Sequence, residues 1–216
     1  TLCGEAQTPS QYDDANIGGQ SYTLKKEIPL VKPATIGSTY LDESWQKAEI
    51  VLKSGLKVDG HPVRVEIERG HIEILYLGET RYLELGVVDH ITLLGNEDKA
   101  QWIIRNASEY ALEDTPLRGV VLVREGESYT AVKHVFIETL PANYNIAMDV
   151  GSKADRKVTR ERLYLSGGGK LIPVKGSIKK IAQQMGKDKE KAMAIVKEHR
   201  LQLSRESDLL AFVALI

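Results

Sequence analysis

Val63, Val65 and Ile67 are interleaved with Arg64, Glu66 and Glu68, the two-residue period of a strand with one buried and one wet face. Arg69-Gly70 reads as a tight turn, after which Ile72, Ile74 and Tyr76 resume the alternation. Gly78-Glu79 marks the next turn, before strand-like stretches at 82–85 and 87–94, and Gly95-Asn96-Glu97-Asp98 punctuates again. A short strand is predicted around Trp102, over 101–105. Beyond a polar loop containing Pro116, 120–124 and 129–139 predict a hairpin across Glu125-Gly126. Turns recur about every ten residues with no helix-period segment between them, which argues for antiparallel pairing, because parallel strands need long crossovers. The expectation for 45–140 is six or more strands and almost no helix. Spacing alone leaves a meander, a sandwich and a partly closed barrel open.

Residues 141–160 break the pattern with Asn143, Asn145, Gly151 and mixed charges, and read as a loop of about twenty residues. Two short stretches, Arg162 to Leu165 and Lys170 to Val174, flank Gly167-Gly168-Gly169, where glycine supplies the positive φ of a hairpin tip. No Gly-Lys-Ser/Thr follows, so these glycines are not read as a phosphate loop. From Ser177 the period becomes helical. Ser177 is the expected cap of a helix burying Ile178, Ile181, Ala182 and Met185 and stopping at Gly186. Asp188 is the expected cap of a second with Ala192, Ile195, Val196 and His199 inward, and Ser204 of a third carrying Leu209, Leu210 and Val213. The fold class that results is α+β, a mainly antiparallel β body closed by a short three-helix tail. The expected divisions are a flexible lead-in over 1–19, a β-rich domain over 20–176, and a helical tail over 177–216 packed on itself or on the sheet.

Composition adds mostly exclusions. The chain has 216 residues, 42% apolar and 27% charged, with 29 Lys and Arg against 30 Asp and Glu. That is an ordinary globular balance, and a net charge of −1 supplies no chain-wide pull toward nucleic acid or an anionic membrane. The one cysteine, Cys3, rules out an intrachain disulfide framework and a cysteine-rich zinc site, and reads as an incidental thiol rather than a lipidation site. No run of apolar residues is long enough to span a bilayer as a helix. The opening Thr1-Leu2-Cys3-Gly4 lacks an initiator methionine, which suggests a removed leader or tag or a trimmed end.

Candidate chemistry is sparse. Of five histidines, His71 with Glu73 and His134 with Glu138 share strand faces, so a metal or acid–base site assembled from His71, Glu73, His90 and His134 is conceivable. No HExxH, His-x-His or facial-triad spacing supports it, and the favoured reading is that these are polar positions on exposed strand faces. His61 precedes Pro62 at a turn, and His199 sits late in a helix. There is no Gly-x-Ser-x-Gly elbow; Ser166 is read as a hairpin residue, and the pairs Asp13-Asp14 and Glu113-Asp114 are placed in loops. Trp45 and Trp102 are read as core anchors, with sugar or base stacking the alternative. The tail has a helix-turn-helix-like stretch at 178–196, with Ala182 and Gly186 at the small and turn positions. Lys187 stands where that motif wants an apolar residue, and the second helix lacks the Arg, Asn or Gln that reads base edges. No catalytic, cofactor-binding or metal-ligating residue is therefore assigned, and no cofactor.

Two stretches carry a resemblance. One is Trp45, then Ala48-Glu49-Ile50-Val51-Leu52, a Gly-rich turn and Val63-Arg64-Val65. The other is Tyr164-Leu165, Lys170-Leu171-Ile172-Pro173-Val174 and the helical apolar positions Ile181, Ile195, Leu201 and Leu209-Leu210. Together they resemble a loose set of exported, uncharacterised proteins of Gram-negative bacteria with a signal peptide, a β-rich middle and a Lys-rich helical tail. The resemblance implies a periplasmic or extracellular location and assigns no residue a role. The reading drawn is an exported binding module for a protein, glycan or lipid partner, without nucleic acid or a membrane span. The alternatives are a hydrolase with a His/Glu site on the sheet face and a DNA-binding protein acting through its tail.

Overall fold

Strands form where β-branched and aliphatic side chains recur on one face of an extended backbone and charged ones on the other. The computed structural model describes residues 36–94, 102–143, 148, 150 and 154–216, with the backbone of 12–17 and 20–25. A hairpin of β1 (Tyr12–Ile17) and β2 (Gln20–Lys25) comes first, so part of the expected lead-in, with Asp13 and Asp14, is strand; Cys3 lies outside the described residues. Next come β3 (Gln46–Leu52), β4 (Lys57–Val58), β5 (Pro62–Glu66), β6 (His71–Tyr76), β7 (Glu79–Glu84), β8 (Val88–Leu93) and β9 (Ile103–Asn106). A small separate hairpin, β10 (Ala111–Leu112) with β11 (Thr115–Pro116), turns through Glu113 and Asp114. The body ends with β12 (Val120–Glu125), β13 (Thr130–Leu140), β14 (Arg156–Gly167) and β15 (Lys170–Pro173). The helices α1 (Ile178–Gln184), α2 (Lys189–His199) and α3 (Glu206–Leu215) follow.

The ladder runs β1-β2-β7-β6-β5-β3-β8-β9-β12-β13-β14-β15, with β4 on β3, and every strand pairing is antiparallel. It is a curled meander and does not close into a barrel. Strand β3 is the pivot: Gln46 and Lys47 pair with β5, whereas Ala48–Leu52 pair with β8, with a register shift at Val51/Leu52. Val63 on β5 and Val135 on β13 share one core although five ladder steps separate their strands. Five steps on a flat sheet are about 24 Å, so the sheet must fold over itself for them to pack together. The segment before β3 crosses the open side, with Ile36 bridging Arg156 and Tyr40 bridging Glu66.

The other half of the inner face is covered by the helices. Ala131, Leu165 and Ile172 pack with Trp102, Ile181, Ala192, Leu209 and Phe212 in a second core. At the β14–β15 turn, register pairs Gly167 with Lys170, and Gly168 and Gly169 take the positive φ values (59° and 77°) of a two-residue hairpin. Gly167 itself is needed for space, because a Cβ there would overlap the Tyr129 ring.

Several expectations are corrected. Residues 156–160 are not loop: they extend β14 against Phe136–Leu140 of β13 as a two-stranded ribbon. Ser177 and Asp188 stand at helix starts but make no capping bond; the Asp188 carboxylate instead accepts from Tyr129 Oη at 2.9 Å. The third helix begins after Arg205 rather than Ser204, and His199 is exposed, not inward.

Candidate functional site

One row across the inner face explains where a site lies. Register aligns Ile50, Ile91, Ile104, Leu122, Lys133 and Leu163 on β3, β8, β9, β12, β13 and β14. Lys133 is the one charged side chain in that aliphatic row, and its neighbours on the same face of β13 are Ala131 and Val135. Its side chain is only 16% exposed. A buried ammonium needs partners, and Lys133 Nζ finds Glu206 at 2.9 Å and Glu161 at 3.3 Å. Burial alone would lower the Lys133 pKa, but the hydrogen bond it donates to Glu206 and the charges of both glutamates outweigh it and raise it. The lysine therefore stays protonated.

Glu206 opens α3 and is held from two sides, since Trp102 Nε1 donates to its Oε1 at 3.0 Å while Lys133 takes Oε2. A carboxylate in the first turn also suits the helix dipole. Sheet and last helix are thus joined across 73 residues of sequence by one polar cluster. Beside it lies a cleft of about 270 Å³, walled by Leu41, Leu93, Ile104, Leu122 and Trp102, with Asp42, Lys133, Glu161 and Glu206 as its polar groups. Asp42 is turned toward its own segment, accepting from the Ser44 backbone at 2.9 Å and from Gln46 Nε2. Two carboxylates, Glu206 and Glu161, meet one ammonium, so the cleft disfavours an anion and accepts an apolar body with a neutral or cationic head.

The side chains weighed for acid–base or metal chemistry are engaged separately. Strands β6, β8 and β13, which carry His71, His90 and His134, are each three ladder steps from the next. Glu73 is buried, accepting from Tyr40 Oη at 2.6 Å and Arg64 Nε at 3.1 Å. Burial first, then the bond to Glu73, pushes the Tyr40 phenol well above its usual value. His90 Nδ1 lies 2.6 Å from Asp89, and the His71 ring meets Tyr82 edge-on. His134 is buried rather than exposed: Nε2 sits 2.7 Å from the Arg118 carbonyl and the ring stacks on Phe136, leaving Nδ1 without a partner. Among the described residues, no three His, Cys, Asp or Glu side chains gather as a metal-binding group.

The tryptophans divide. Trp102 is a core residue and part of the cleft. Trp45 is half-buried, with the Arg64 guanidinium 4.2 Å from its ring centre and the Tyr40 ring also against that guanidinium. Ser166 sits in the β14–β15 hairpin, and Glu113 and Asp114 are exposed at a turn. Among the described residues, no helix is long and apolar enough to cross a membrane. Compared with known proteins, the chain matches no family, no curated protein and no solved structure.

Proposed function

We propose that the protein works by binding, holding a small amphipathic molecule in the cleft between the sheet and α3. The observation that carries this is the cleft's construction. It has about 270 Å³ of space with aliphatic and indole walls, and a hydrogen-bonding cluster of Lys133, Glu206 and Glu161 at one end. That volume is near the lower end of small-molecule sites, which are roughly 300–1,000 Å³. A burial-driven ligand gains from the walls, and its head group is selected by the excess of carboxylate over ammonium.

Thermal unfolding with decanol, decylamine and decanoate tests this directly. Decanol and decylamine are expected to raise Tm at saturation and decanoate to do so much less; Leu93→Phe, which fills the cleft, is expected to remove the effect. No stabilisation by any of the three, or equal stabilisation in the Leu93→Phe variant, contradicts the reading. An envelope or extracellular setting is part of the proposal, supported by the resemblance of 45–93 and of the tail to exported proteins. Recovery of the native protein in the cytoplasmic fraction would count against it.

A further inference from the structure

Charge is unevenly placed on this molecule. Residues 175–200 hold eight Lys and Arg against three Asp and Glu, a local +5 that leaves −6 on the rest of a chain whose net charge is −1. All eight cations, Lys175, Lys179, Lys180, Lys187, Lys189, Lys191, Lys197 and Arg200, are exposed. None forms an ion pair with a carboxylate among the described residues; Lys191 donates to the Ile216 backbone carbonyl instead. An exposed surface with this excess of positive charge attracts an anionic partner. The helices carrying them are firmly seated by Ile181, Ala182, Met185 and Ala192, so the basic surface is presented on a fixed support.

We infer that the outer surface of α1 and α2 docks on an anionic phospholipid bilayer. One observation favours lipid over nucleic acid. Met193, 39% exposed, lies one turn from Lys189 and one turn from Lys197. An apolar side chain between lysines matches the boundary of headgroup and acyl chain, where lysine stems lie along apolar surface and their ammonium groups reach phosphate. The attachment is peripheral and electrostatic, and it is independent of what occupies the cleft.

Co-sedimentation of the full chain with phosphatidylcholine vesicles, with and without phosphatidylglycerol, reads the inference. Binding is expected only with phosphatidylglycerol and to fall steeply with added salt. The combined variant Lys179→Glu, Lys187→Glu, Lys189→Glu, Lys197→Glu is expected to lose at least about tenfold in partitioning while keeping the wild-type Tm. Lys→Arg at the same four positions is expected to retain binding. Equal partitioning on both vesicles, no loss in the charge-reversed protein, or tighter binding to duplex DNA than to the anionic vesicles overturns it.

Discussion

Replacing Glu206 in two different ways separates the two bonds its carboxylate makes. In Glu206→Gln the amide oxygen can still accept from Trp102 Nε1, but the charge that pairs with Lys133 is gone. The Glu206 side chain is 41% exposed, so solvent screens the pair and its loss is expected to cost about 1 kcal/mol. In Glu206→Leu the acceptor disappears as well, leaving the indole N–H of a nearly buried Trp102 unsatisfied, which adds roughly 1–3 kcal/mol. For a chain of this size each kcal/mol corresponds to about 2–4 °C in Tm. Urea unfolding followed by circular dichroism, at low and high salt, measures both. The Glu206→Gln penalty is expected to shrink with salt and the further Glu206→Leu penalty to persist, because a neutral hydrogen bond is not screened. Combining Glu206→Gln with Lys133→Met is expected to show coupling of about 0.5–1 kcal/mol. Equal stabilities of the Gln and Leu variants, together with additive effects at Lys133, would refute the claim that this cluster joins α3 to the sheet.

Burial is the main influence holding the His134 pKa below the ordinary histidine value of 6.5, with the Arg162 charge adding to it and the Arg118 carbonyl opposing. The unfolded chain therefore takes the proton first. The stability linked to this residue is full above about pH 6.5 and lost as pH falls toward the folded value. His134→Phe is expected to flatten that part of the pH–stability curve, and identical curves would contradict the assignment. Gly167→Ala is expected to destabilise by about 1–3 kcal/mol by forcing a methyl group into the Tyr129 ring, an effect that Tyr129→Ala should largely remove in the double variant. Leu209→Asp places a charge among Phe212, Ile181 and Trp102 and is expected to cost on the order of 3 kcal/mol or more; an unchanged Tm would mean that α3 is not docked.

Much of the body was readable because burial alternates where one face is wet. Val63 and Val65 point into the core and Arg64 out, as their spacing implies. The β14–β15 turn was legible for the same local reason, since glycine adopts the positive φ of Gly168 and Gly169 without strain. The ribbon at 156–160 was not legible, because strand there is held by pairing with β13 and a bridge to the distant Ile36, while Arg156, Thr159 and Arg160 are exposed irrespective of face. The helix starts misled for a different reason: Asp188 is diverted to Tyr129, a partner 59 residues away. The cleft depends on contacts between Lys133 and Glu206 and between Trp102 and Glu206 that no local pattern encodes. One signal did exist. Lys133 occupies an inward position between Ala131 and Val135, and a cation on an otherwise apolar face requires a partnered polar site.

Trp102 lines the cleft, and the chain contains just one other tryptophan, Trp45. In the Trp45→Phe variant, Trp102 emission therefore reports on the cleft alone. Titrating decanol into this variant should shift that emission along a saturable, one-to-one curve, and adding Leu93→Phe should abolish the shift. An emission that does not respond, or one that responds equally in the cleft-filled protein, would contradict binding in the cleft.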